Sequence, residues 1–92
     1  MKIEFDPNKS AANIAKRELS FEMVDQFGFD EAVIEQDNRK AYPEARYVAS
    51  GFIGLRLHIL CFTPIASGIR VISLRKANDR ERKYHENSKT FD

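Results

Sequence analysis

Between residues 46 and 75, three runs rich in apolar and β-branched residues follow one another across very short breaks. RYVASGFI (46–53) and LRLHILCFT (55–63) flank Gly54, which signals a tight hairpin. PIASG (64–68) then makes a loop ending in a glycine, and 69–75 reads as the next strand. Strands joined this closely pair antiparallel, because a parallel partner needs a long crossover. In the second run Leu55, Leu57, Ile59 and Cys61 point one way, and Arg56, His58, Leu60 and Phe62 the other. One face of the sheet is therefore mixed in character.

The flanking segments supply helices. KIEFD (2–6) reads as a short strand, and Asp6-Pro7 as a helix start with Asp at the N-cap and Pro at the first position. The spacing predicts a helix to about Arg17 with Ala11, Ile14 and Ala15 inward. Lys16 and Arg17 suit its C-terminal dipole. Ser20 caps a second short helix carrying Phe21, Val24 and Phe27 on one face, ended by Gly28. EAVIEQD (31–37) is a candidate strand around Val33 and Ile34, and NRKAYPEA is a loop marked by Pro43. Asn78 with Glu81 three positions on forms a variant capping box for a C-terminal helix, and residues 86–92 read as a frayed tail. The order β-α-α-(β)-β-β-β-α describes a single α+β domain over 1–92: a small antiparallel sheet with two N-terminal helices and one C-terminal helix packed on it.

Several function classes find no support. No apolar run approaches the roughly 20 residues that span a bilayer, and MKIEFDPNKS has no apolar core of a secretory signal. The one cysteine, Cys61, can make neither an internal disulfide nor a zinc site. A cytoplasmic protein without membrane contact is the simplest expectation. There is no Gly-x-Ser-x-Gly, no phosphate-binding loop and no dinucleotide fingerprint, and His58 and His85 lack metal-ligand spacing. Neither metal nor cofactor is expected.

The cations are the informative set. Residues 18–37 hold seven acids and no Lys or Arg, a charge of −7. Residues 38–83 hold ten bases against three acids, a charge of +7. A basic half suits a phosphate-bearing partner, unless the two halves simply mix on a solvated surface. Arg56 and Arg70 lie within adjacent strands, and Arg46, Arg75 and Lys76 at strand ends. Converging on one face they would cradle a phosphodiester. Dispersed, they would protect sheet edges from aggregation. Tyr42, Tyr47 and Tyr84 could stack on bases or pack with the hydroxyl at the surface.

Three blocks, in order, resemble a known family. FDPNKSAANIAKRELSFE (5–22) resembles the opening of BrnT-type toxins of bacterial type II toxin–antitoxin modules. ARYVASGFIGLRLHILCFT (45–63) resembles their central hairpin, and IRVISLRKANDRERKYHE (69–86) their closing segment. The resemblance implies a RelE-like fold with helices on one side of the sheet. It also implies metal-independent RNA cleavage and neutralisation by a BrnA-like antitoxin, through which alone the complex meets DNA.

On that reading Arg56, Arg70 and Arg75 hold the scissile phosphate, with Lys16 and Arg17 flanking. Arg46, Lys76 and Arg80 extend the RNA contact, and Glu44 or a shifted Lys is the base for the substrate 2′-OH. The family's Lys-His pair is Lys16-Arg17 here, and an arginine cannot serve as a general base. His58 is a possible substitute. A second reading is a catalytically weakened homologue that mainly binds its partner, its −7 segment facing a basic antitoxin surface. A third is a nucleic-acid-binding module unrelated to toxins.

Overall fold

The computed structural model describes residues 1–89. Its elements are β1 (Lys2–Glu4), α1 (Pro7–Arg17), two 3₁₀ turns (Phe21–Gln26 and Phe29–Glu31), β2 (Val33–Gln36), β3 (Tyr47–Ile53), β4 (Arg56–Ile65), β5 (Gly68–Lys76) and α2 (Asp79–Lys89). They build an α+β fold around a five-stranded sheet of order β1-β5-β4-β3-β2. The expected second helix is thus a pair of 3₁₀ turns, cut short by Gly28. The sheet is mixed, because β1 joins parallel to β5 while the other pairs are antiparallel. Gly68 permits that parallel contact: a Cβ there would overlap the Lys2 carbonyl. The expected tail is helical through Lys89, and residues 90–92 lie outside the described residues.

The hairpin predicted at Gly54 forms, with Gly54 at φ +62° and Ile53 opposite Arg56. Leu55 sits in the turn and is fully exposed, rather than in the apolar row of β4. The first face of the sheet carries Ala49, Leu60, Phe62, Val71 and Leu74, packed with Phe21, Val24 and Phe27 from the 3₁₀ segment. The second face carries a smaller cluster of Val48, Leu57, Ile59 and Ala77, and α2 crosses this face. Helical segments therefore contact both faces, not one.

Two local features break the sequence pattern. Along β5 the register slips between Cys61↔Ser73 and Phe62↔Val71, leaving Ile72 as the extra residue of a β-bulge. An unbroken strand would send Arg70 and Arg75 to opposite faces; the bulge turns both to the second face. On α1, Ala11, Ile14 and Ala15 are exposed and the buried positions are Ser10 and Asn13, the reverse of the predicted facing. Polar bonds explain the inversion. Ser10 Oγ accepts from the Phe21 amide at 3.0 Å, and Asn13 Nδ2 donates to the carbonyls of Leu19 and Leu74, both at 2.9 Å. Ala77 N–H pairs with Leu57 O, which by alternation turns the Leu74 carbonyl outward from β4. So α1 lies along the β5 edge beyond the end of β1 and caps it.

Candidate functional site

A cleft of about 680 Å³ opens on the second face between the sheet and α2. Its floor is apolar, with Val48, Ile59, Cys61 and Ile72; its walls carry Arg39, Arg46, Arg75 and Arg80 against Glu35, Asp37 and Glu81.

Each wall is set by local structure. Arg75 projects from β5 opposite Ile59 and forms a two-point ion pair with Glu81, Nη1–Oε1 at 2.8 Å and Nη2–Oε2 at 2.6 Å. The predicted capping box is present and shares that carboxylate. Asn78 N–H donates to Glu81 Oε1 at 2.9 Å, and Glu81 N–H to Asn78 Oδ1 at 2.8 Å. The Arg75 guanidinium holds the Glu81 carboxyl below the usual range, which fixes the pair as charged at neutral pH. One turn on, the Tyr84 hydroxyl donates to Glu35 Oε1 on β2 at 2.7 Å, and this bond to a carboxylate raises the phenol's pKa. Next to it His85 is buried, with Nδ1 2.8 Å from Ser50 Oγ on β3 and its ring edge-on to Phe52. Glu81, Tyr84 and His85 are spaced i, i+3, i+4, so together they form the inward face of α2.

The loop from 37 to 46 makes the remaining wall. Asp37, buried at its base, takes two bonds from the Arg39 side chain at 2.9 Å and one from the Tyr42 hydroxyl at 3.2 Å. Chiefly the Arg39 contact holds its carboxyl far below the ordinary aspartate range. Arg46 lies over the Tyr42 ring, 4.2 Å from its centre. Among the described residues Arg46 and Arg80 form no ion pair, which leaves two cleft cations for an incoming anion.

The structure brings together three of the sequence candidates, Arg46, Arg75 and Arg80. The rest are placed elsewhere. Arg70 shares the second face but is engaged by Glu4 at 2.7 Å and Glu44 at 3.3 Å, tying β1 and the 37–46 loop to β5. Glu44, the candidate base, is thus part of that surface cluster and does not line the cleft. Arg56 sits at the hairpin end and donates to Ala77 O at 3.2 Å. It is seven residues along β4 from the position opposite Arg70, about 23 Å at the usual strand rise. The three arginines assigned to one phosphate therefore do not converge. Lys16 and Arg17 end α1 at the β5 edge, and Lys76 alternates to the side opposite Arg75. None of these three lines the cleft.

His58 is also away from the cleft, buried on the side of Leu60, with Nδ1 2.9 Å from Arg56 O. Its Nε2 is enclosed with no hydrogen-bond partner among the described residues. Burial lowers its pKa from 6.5, so the unfolded chain binds the proton more tightly than the fold does. The stabilisation from a neutral His58 is complete above pH 6.5 and is lost as pH falls through the lower folded value. Thermal melts across this range should show His58→Leu losing less stability on acidification than the wild type. Parallel pH profiles for the two proteins would contradict this assignment.

Among the described residues no group of His, Cys, Asp and Glu is arranged to hold a metal ion, and no helix is long and apolar enough to cross a membrane. A mixed sheet with N-terminal helical segments, a C-terminal helix and an arginine-lined cleft defines a small α+β domain of RelE-like type. The chain belongs to the family described as "Ribonuclease toxin, BrnT, of type II toxin-antitoxin system", whose model matches residues 5–81. No curated protein and no solved structure matches it.

Proposed function

We propose that the chain is a metal-independent endoribonuclease toxin whose RNA lies in the cleft beneath α2, neutralised by a BrnA-like antitoxin. The observation that carries this reading is the meeting of Arg46, Arg75 and Arg80 over an apolar floor, within a family of ribonuclease toxins. The floor accepts a base, and the guanidinium groups bind phosphate oxygens and the charge that grows on them during cleavage. The substrate 2′-OH is the nucleophile. Its oxygen bonds to phosphorus while the bond to the 5′ oxygen breaks, leaving a 2′,3′-cyclic phosphate. Two groups at the walls can move the protons: Tyr84, protonated at neutral pH, and Ser50, backed by His85.

Induced expression of the chain alone should arrest growth, and co-expression of its antitoxin should relieve the arrest. Purified protein should cut RNA in the presence of a chelator and leave cyclic phosphate ends. Intact RNA with a folded, soluble chain would rule the reading out. That outcome would favour a catalytically weakened partner-binding homologue. One observation supports this second reading: both terminal nitrogens of Arg75 are already taken by Glu81, which a phosphate must displace.

A further inference from the structure

The two edges of the sheet are treated differently. The β5 edge is covered by β1 and then by α1, with Asn13 bonded to its outward carbonyl. The opposite edge is β2, and among the described residues its only strand partner is β3. Asp37 N–H donates to Arg46 O at 2.8 Å, which fixes the alternation along this pair. Val33 and Glu35 turn their main-chain groups toward β3, so those of Ile34 and Gln36 face outward. Natural sheets blunt such an edge with charged side chains, proline, a bulge or shortness; the four-residue segment VIEQ has no lysine, proline or bulge, and its one charge, Glu35, is bonded to Tyr84. Instead Ile34 is 45% exposed beside the open ladder.

The surroundings of this edge are acidic. Asp30 and Glu31 immediately precede β2, and both are exposed. Ile34 points to the main-core face of the sheet, since it pairs with Ala49. An added strand would therefore place one row of side chains alongside Ile34 and these carboxylates. A second copy of the chain is a weaker occupant: in an antiparallel β2–β2 pair each strand VIEQ brings Glu35 and no cation, so it supplies none of the positive charge that a basic strand would offer this edge.

We infer that β2 is a docking edge for an extended segment of a partner protein, one that carries basic residues among β-branched ones and adds a sixth strand to the sheet. Main-chain bonds to Ile34 and Gln36 would supply affinity, and the acids at the edge would select for positive charge. The inference rests on the reading that this chain works with a protein partner and is independent of RNA cleavage.

The test uses a capped heptapeptide alternating arginine and valine, beside the same peptide with glutamate for arginine. Fluorescence anisotropy should show saturable binding of the basic peptide, weakened by salt, and none of the acidic one. Ile34→Pro removes an outward amide and costs β3 no bond, so it should fold and bind at least tenfold more weakly. Asp30→Lys with Glu31→Lys leaves the backbone unchanged, keeps the test open if the proline variant fails to fold, and should weaken binding comparably. The inference is overturned if neither peptide binds, if both bind alike, or if a folded variant binds as the wild type does. It is overturned too if the wild type self-associates through this edge and Ile34→Pro restores a monomer. Peptide binding is read without RNA and growth arrest without a partner, so either can fail alone.

Discussion

Arg75→Ala should lower RNA cleavage by about 10²–10³-fold, the usual cost of removing one donor aimed at developing charge. Arg56→Ala and Arg70→Ala should stay within a few-fold of the wild type. The contrast follows from placement. Arg75 lies at the cleft wall with both terminal nitrogens presented to a carboxylate, the arrangement a phosphate would also take. Arg70 is matched by two surface carboxylates, and Arg56 serves the Ala77 carbonyl at the far end of β4. Arg75→Lys should rescue poorly, because an ammonium cannot reproduce a planar two-point contact. Since Arg75 also helps clamp α2, each variant is melted as well as assayed. A large loss of activity with a near-normal melting temperature supports the assignment. Equal losses at Arg56, Arg70 and Arg75 would restore a single phosphate site shared by all three.

Why that shared site looked plausible from the sequence has a physical explanation. The strands themselves are legible, because three apolar, β-branched-rich runs at 46–53, 55–63 and 69–75, separated by short glycine-marked breaks, leave little choice but a sheet. The capping box at Asn78 and Glu81 is legible for a similar reason, since both partners are local. Relative placement along the sheet is not. It depends on register, and here on a bulge at Ile72 that no turn residue announces. The bulge brings Arg75 to the face of Arg70, while ladder length separates Arg56 from Arg70. The groups added at the cleft, Asp37 with Arg39 and Tyr84 with Glu35, meet through loop closure and helix docking. Only the i, i+3, i+4 spacing of Glu81, Tyr84 and His85 carried a signal of the inward face of α2.

The facing of α1 gives the second large expectation, and it runs against hydropathy. Asn13→Leu places an apolar side chain of similar size at a buried position on the helix, yet it should destabilise the fold by about 2–5 kcal/mol. Two carbonyls, of Leu19 and Leu74, lose their donor together, and neither regains one from leucine. Each enclosed acceptor left without a partner costs about 1–3 kcal/mol, large against the roughly 5–15 kcal/mol that holds a domain of this size folded. Asn13→Asp should be at least as damaging, because a carboxylate would face those carbonyls where an amide now donates. Ile14→Ser, which a hydropathy reading of the helix would rank as the worse change, should lie within about 0.5 kcal/mol of the wild type. Urea unfolding of the three variants decides the matter. If Ile14→Ser proved costly and Asn13→Leu neutral, α1 would be held by its apolar side and the edge-capping role of Asn13 would be wrong. The expected order instead makes one polar residue the joint between α1, the first 3₁₀ segment and β5, so the amide that closes one edge of the sheet also sets which side of α1 turns inward.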